Sequence, residues 1–107
     1  MILPKCLLPL ALLATTASCW TFTVYPDSEG ESNPSGSPSG TGNVDCTDTP
    51  ANHRSFEIAN MGNCILYLYQ DQDHCADDDF ENVYDFGEED ETIAPDYQWD
   101  AYKVDDC

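Results

Sequence analysis

In the stretch "CILYLYQDQDHC", Cys64 to Cys75, an apolar run leads into Asp71, Asp73, His74 and Cys75. These side chains offer the oxygen, nitrogen and sulfur donors from which zinc sites are built. A structural zinc site in a small protein draws on a second ligand pair such as C-x₂-C, and this chain has none. Further along, "DDDFENVYDFGE" places Asp77, Asp79, Glu81 and Glu88 at the first, third, fifth and twelfth places of a calcium loop. Asn82 stands at the sixth place, where such a loop needs glycine for its sharp turn, and no flanking helices are expected. Those four carboxylates are therefore candidates for weak, loosely organised calcium binding only, and no cofactor is expected.

The inventory for catalysis is thin. His53 and His74 are the only side chains suited to act as a base near neutral pH. There is no Gly-x-Ser-x-Gly elbow and no glycine-rich phosphate loop. Carboxylate pairs abound, but a hydrolase acting on sugar chains needs a larger cleft than so short a chain provides. His53, next to Arg54, reads as a loop residue, and the chain reads as a non-enzyme. Tyr97, Trp99 and Tyr102 lie close together, with Trp20 as a further ring. They serve either as core filler or, if exposed, as a stacking platform for a sugar or a protein partner.

Charge narrows the partners. Twenty-one acidic residues, none before Asp27, face three basic ones, for a formal net charge of −18. Nucleic acid and anionic membrane surfaces require cationic patches and are excluded. The acids serve as a solubilising, self-repelling surface or as a face for cations and cationic partners.

The elements that would position these groups begin after a leader. "MILPKCLLPLALLATTASCW" has one positive charge, an apolar run and then small residues, the plan of a secretory signal peptide over residues 1–18, with cleavage after 17, 18 or 19. A cut after Cys19 leaves Cys46, Cys64, Cys75 and Cys107; an earlier cut leaves a fifth cysteine. A lipidated Cys19 is disfavoured because Thr16 stands where such signals usually place leucine.

"WTFTVY" (20–25) alternates as a half-buried strand. Residues 26–45, rich in Ser, Gly, Pro and acids, read as a flexible linker or disordered insertion that could carry O-linked sugars. A cysteine-stapled β domain is expected over 46–107. Its strands are "RSFEIAN" with Phe56 and Ile58 inward, "ILYLYQ" covered on both faces, "FENVYDF" with Phe80, Tyr84 and Phe86 on one side, and "YQWDAYKV". The expected fold is all-β: a small sandwich or Greek-key-like fold.

A faint internal echo supports two copies packed face to face. "FTVYPD" and "LYLYQD" are each followed by a cysteine (Cys46, Cys75), a strand ("SFEI", "AYKV") and a closing cysteine (Cys64, Cys107). With about 65 to 70 ordered residues, apolar burial alone supplies only about 3–5 kcal/mol, so disulfides are needed. A Cys64–Cys75 bond is disfavoured, because a six-residue strand carries the chain about 20 Å away. Cys46–Cys64 with Cys75–Cys107 keeps each bridge inside one copy and is preferred over Cys46–Cys75 with Cys64–Cys107.

The leader, the cysteines, the Ser/Gly/Pro insertion and the tail "AYKVDDC" together resemble the small secreted cysteine-rich proteins of filamentous fungi. "LYLYQD" is also similar to the opening strand of a βγ-crystallin-type Greek key, without that family's calcium motif. The first resemblance implies a secreted, extracellular, effector-like protein that binds an extracellular protein or glycan. A structural surface-coat role, or weak calcium or carbohydrate binding on the β scaffold, are the alternatives.

Overall fold

The computed structural model describes residues 20–107; the expected leader and Cys19 lie outside the described residues. The described chain forms two antiparallel sheets, one helical turn and a 3₁₀ turn. The strands are β1 (Trp20–Tyr25), β2 (Ser39–Gly40), β3 (Val44–Asp48), β4 (Ser55–Ala59), β5 (Ile65–Tyr69), β6 (Asn82–Tyr84) and β7 (Ala101–Asp105). The helical turn α1 spans Gln72–Ala76 and the 3₁₀ turn Phe86–Glu88. One sheet has the order β2-β1-β4 and the other β3-β7-β5-β6.

Alternation explains the layers. Trp20, Phe22 and Val24 of β1 and Phe56 and Ile58 of β4 face inward, as do Leu66 and Leu68 of β5 and Tyr102 and Val104 of β7. Between the sheets the rings meet edge to face or tilted: Phe22 lies 4.9 Å from Tyr102 and 5.3 Å from Phe56, and Phe56 lies 5.1 Å from Tyr84 and 5.3 Å from Trp99. Such pairs add about 0.5–1.5 kcal/mol each beyond their buried area.

The echo in the sequence corresponds to equivalent registers. Phe22 pairs with Ile58 and Val24 with Phe56 in one sheet, while Leu66 pairs with Val104 and Leu68 with Tyr102 in the other. These are the positions the echo aligns. Each half also sends its third segment to the opposite sheet: β3 pairs with β7, and Ile93 bridges to Phe56 on β4. The result is a sandwich of two Greek-key-like halves with exchanged third segments.

The Ser/Gly/Pro segment departs from the flexible linker expected over 26–45. Phe22 N donates to the Pro38 carbonyl at 2.9 Å, Val24 N to the Gly36 carbonyl at 2.8 Å, and Ser35 N to the Val24 carbonyl at 2.7 Å. Its first turn is tied by the Asp27 carboxylate, which accepts from Glu31 N and Ser32 N and is held below the usual carboxylate range chiefly by the Glu31 bond. The segment contributes backbone rather than apolar side chains. Glycine permits its closest approaches, since a Cβ on Gly40 would sit 2.9 Å from Trp20 Cζ2 and one on Gly36 2.9 Å from Pro50 Cγ.

The disulfides also depart from the preferred pairing: they join Cys46 to Cys75 and Cys64 to Cys107. The reason is the exchange of third segments, which carries Cys46 on β3 to the sheet where α1 holds Cys75. Ile65 pairs with Asp105, so Cys64 just before β5 and Cys107 just beyond β7 meet at one end. Each bridge thus links equivalent positions of the two halves.

Removing the 43-residue bridge with Cys64→Ala/Cys107→Ala should cost about 3–4 kcal/mol in urea unfolding. Gly40→Ala should cost about 1–3 kcal/mol by pressing Trp20 out of place, measured the same way.

Candidate binding surface

The aromatic trio, read as core filler or, if exposed, as a platform, is mostly core. Trp99 and Tyr102 are each 3% exposed, and Tyr97 is partly buried with its hydroxyl on that of Tyr84. The strand begins only at Ala101, so Trp99 lies ahead of it and turns inward, where Thr49 Oγ1 donates to its carbonyl at 2.9 Å. Burial pushes the Tyr97 and Tyr102 hydroxyls up. A core this small needs those rings as volume, which leaves none of the three as a free stacking face.

The metal candidates are likewise dispersed in role. Asp77 caps α1, Asp79 and Glu81 are exposed in the following loop, and Glu88 belongs to the 3₁₀ turn. Among the described residues no group of three or more His, Cys, Asp or Glu side chains could hold a metal ion. Several acids instead stabilise backbone: Asp71 accepts from His74 N at 3.0 Å and Asp85 from Gly87 N at 2.9 Å. Sequence reading missed α1, a single turn with this cap as its one local signal. Cys75 of that turn lies in the second disulfide.

Both histidines are engaged. The His53 ring sits edge-on to Trp99 at 4.7 Å, with Nδ1 2.8 Å from the Pro50 carbonyl and Nε2 2.9 Å from Asp100 Oδ1. His74 Nδ1 lies 2.7 Å from Asp71 Oδ1. That contact raises the His74 pKa and lowers that of Asp71.

What remains exposed is concentrated. The large hydrophobic side chains exposed among the described residues are Phe80 (45%), Val83 (39%) and Phe86 (66%), all within and beside β6. β6 is the last strand of its sheet, so one side of its backbone has no neighbouring strand. Val83 pairs with Tyr67 on β5, and Phe80 packs edge-on to Tyr67 at 5.3 Å and to Tyr69 at 6.4 Å. Beside them Lys103 lies 5.5 Å from the Tyr67 ring centre and is tethered to Asp78 at 3.3 Å and Asp105 at 3.8 Å. Tyr69, its hydroxyl on Asp78 at 2.8 Å, is fully buried, and burial raises its pKa. At the other end of β6, Phe86 borders a depression with Asn60, Gly62, Asn63 and Glu89.

Carboxylates flank these residues in sequence, Asp77–Asp79 and Glu81 around Phe80 and Asp85 and Glu88–Glu91 around Phe86, and Glu88 is pushed up first by burial and then by Asp85 and Glu91. Sequence reading placed Phe80, Tyr84 and Phe86 on one side of a strand; in the structure Tyr84 is buried and the two phenylalanines are exposed. The missed signal was local: "DDDFE" and "DFGEE" flank each phenylalanine with carboxylates that must stay hydrated, which makes burying either ring costly.

No protein family, curated protein or solved structure matches this chain. Among the described residues no helix is long and apolar enough to cross a membrane.

Because its folded pKa is raised, His74 contributes stability that is present below its unfolded pKa, about 6.5, and lost as pH rises through the folded value. For Asp71, whose folded pKa is depressed, the contribution is present above its unfolded pKa and lost as pH falls through the folded one. Asp71→Asn should return the His74 titration toward its ordinary value, followed by NMR of the ring protons.

Proposed function

We propose that this chain is a secreted, non-enzymatic, effector-like binding protein that engages an extracellular partner through the strip formed by Phe80, Val83 and Phe86. One observation carries this reading: the exposed large hydrophobics of the described chain gather at a single open sheet edge instead of scattering over the surface. Isolated exposed apolar residues need no explanation, whereas apolar anchors within a polar rim have the anatomy of a protein interface. The two disulfides support export, since such bonds persist in oxidising compartments. The resemblance to small secreted cysteine-rich proteins of filamentous fungi belongs to this reading, as does the signal peptide expected over residues 1–18. The similarity to a βγ-crystallin-type Greek key rests on "LYLYQD", which supplies the central strand β5 behind the strip.

The test is affinity capture from extracellular fluid with the oxidised exported protein and with Phe80→Ala/Phe86→Ala. The unsubstituted protein should retain a discrete partner that the double variant holds at least about tenfold more weakly, with unchanged far-UV circular dichroism. Equal retention by both would refute the strip as the binding surface.

A further inference from the structure

Resting on that reading, we infer that the occupant of the strip is an extended, lysine- or arginine-bearing segment of a partner protein, which adds as a further strand to the open edge of β6. Three features combine to select it.

The first is the edge. β6 closes the order β3-β7-β5-β6 with no strand on its outer side; Val83 N in its middle is held by the Asn82 side-chain oxygen at 2.9 Å, and an incoming strand would take the place of that oxygen. The opposite edge strand, β3, carries no exposed large hydrophobic. Phe80 and Phe86 stand six residues apart, each just beyond one end of β6, with Val83 midway, so a strand added beside Val83 would have an exposed ring beyond each of its ends.

The second is charge. Residues 71–91 hold eleven of the 21 acids and neither lysine nor arginine. Lys103, the nearest cation, is already tethered to Asp78 and Asp105. An incoming strand with basic side chains would meet carboxylates on both sides of the apolar centre, and the attraction would steer its approach.

The third is exclusion of a second copy. An antiparallel pairing of β6 with β6 of another molecule about Val83 would set Glu81 of each copy opposite Asp85 of the other, and like charges placed opposite one another destabilise a strand pair. The carboxylates therefore guard the edge against self-association while leaving it open to a chain of opposite charge.

The experiment uses the oxidised exported protein, isotope-labelled for NMR. The probe is an end-capped peptide of about eight residues alternating lysine with threonine, a length that matches an added strand. Two controls accompany it: the same peptide N-methylated at alternate residues, which keeps the charge but cannot pair its backbone, and a version with glutamate for lysine. The lysine peptide should shift backbone amides of Asn82–Tyr84 and the ring signals of Phe80 and Phe86 saturably. Its affinity should fall severalfold between about 50 and about 200 mM salt. N-methylation should weaken it by at least about tenfold through the lost backbone bonds, and the glutamate peptide should not bind.

Equal binding of the N-methylated peptide would overturn strand addition, and absent binding or shifts spread over the acids without a focus on 80–86 would overturn the inference as a whole. The broader reading fails separately. If the captured partner depends on Phe80 and Phe86 yet is not displaced by the lysine peptide, the binding surface stands and the cationic occupant falls. If capture ignores both phenylalanines, the surface itself falls.

Discussion

Neither sheet of this protein can bury its apolar face alone, and the structure follows from pressing the two together over one set of rings. Phe22 and Phe56, on adjacent strands of one sheet, reach across to Tyr102, Tyr84 and Trp99. The sheets are small, so each aromatic ring supplies a large share of the volume between them. The exchange of third segments completes the packing, because β3 and Ile93 each bind one half to the other's sheet. Both disulfides sit on the four-stranded sheet, Cys46 of β3 bonded to Cys75 of α1 and Cys64 before β5 bonded to Cys107 beyond β7, and so hold the strands of that sheet together.

The surface is governed by a different constraint, the mutual repulsion of 21 carboxylates opposed by few cations. The fold lowers that cost by giving acids work close to the backbone. Asp27, Asp71 and Asp85 accept from amides at turns and caps, where unpaired donors favour a negative charge. Lys103 is drawn between Asp78 and Asp105, its ammonium over the Tyr67 ring. Around β6 the acids coincide with exposed apolar side chains. That coincidence sets the strip apart from the rest of the surface.

Much of the fold was legible because a period-two pattern needs no knowledge of the partner strand. "WTFTVY" and "SFEIA" each display an inward face in their own letters, and both became strands with that face buried; "ILYLY", expected to be covered on both faces, became a strand with Leu66 and Leu68 buried and Ile65 and Tyr67 half-buried. The echo between "FTVYPD" and "LYLYQD" likewise aligned residues that occupy matching registers. The Ser/Gly/Pro segment misled because its composition lacks apolar side chains, while its order comes from backbone bonds to β1, which composition does not record. The strand expected over "YQWDAYKV" begins only at Ala101, so Trp99 enters the core from outside the alternation.

By itself, then, the sequence determined an all-β chain, the inward residues of its alternating strands, its strong acidity and the presence of cysteines to cross-link so slight a core. Tertiary structure alone decided which cysteines meet, which rings are consumed as core and which acids surround an open edge. The physical reason is the exchange of third segments. It depends on how two sheets share one interior, and that arrangement brings Cys46 to Cys75 across a separation of 29 residues that no local pattern spans.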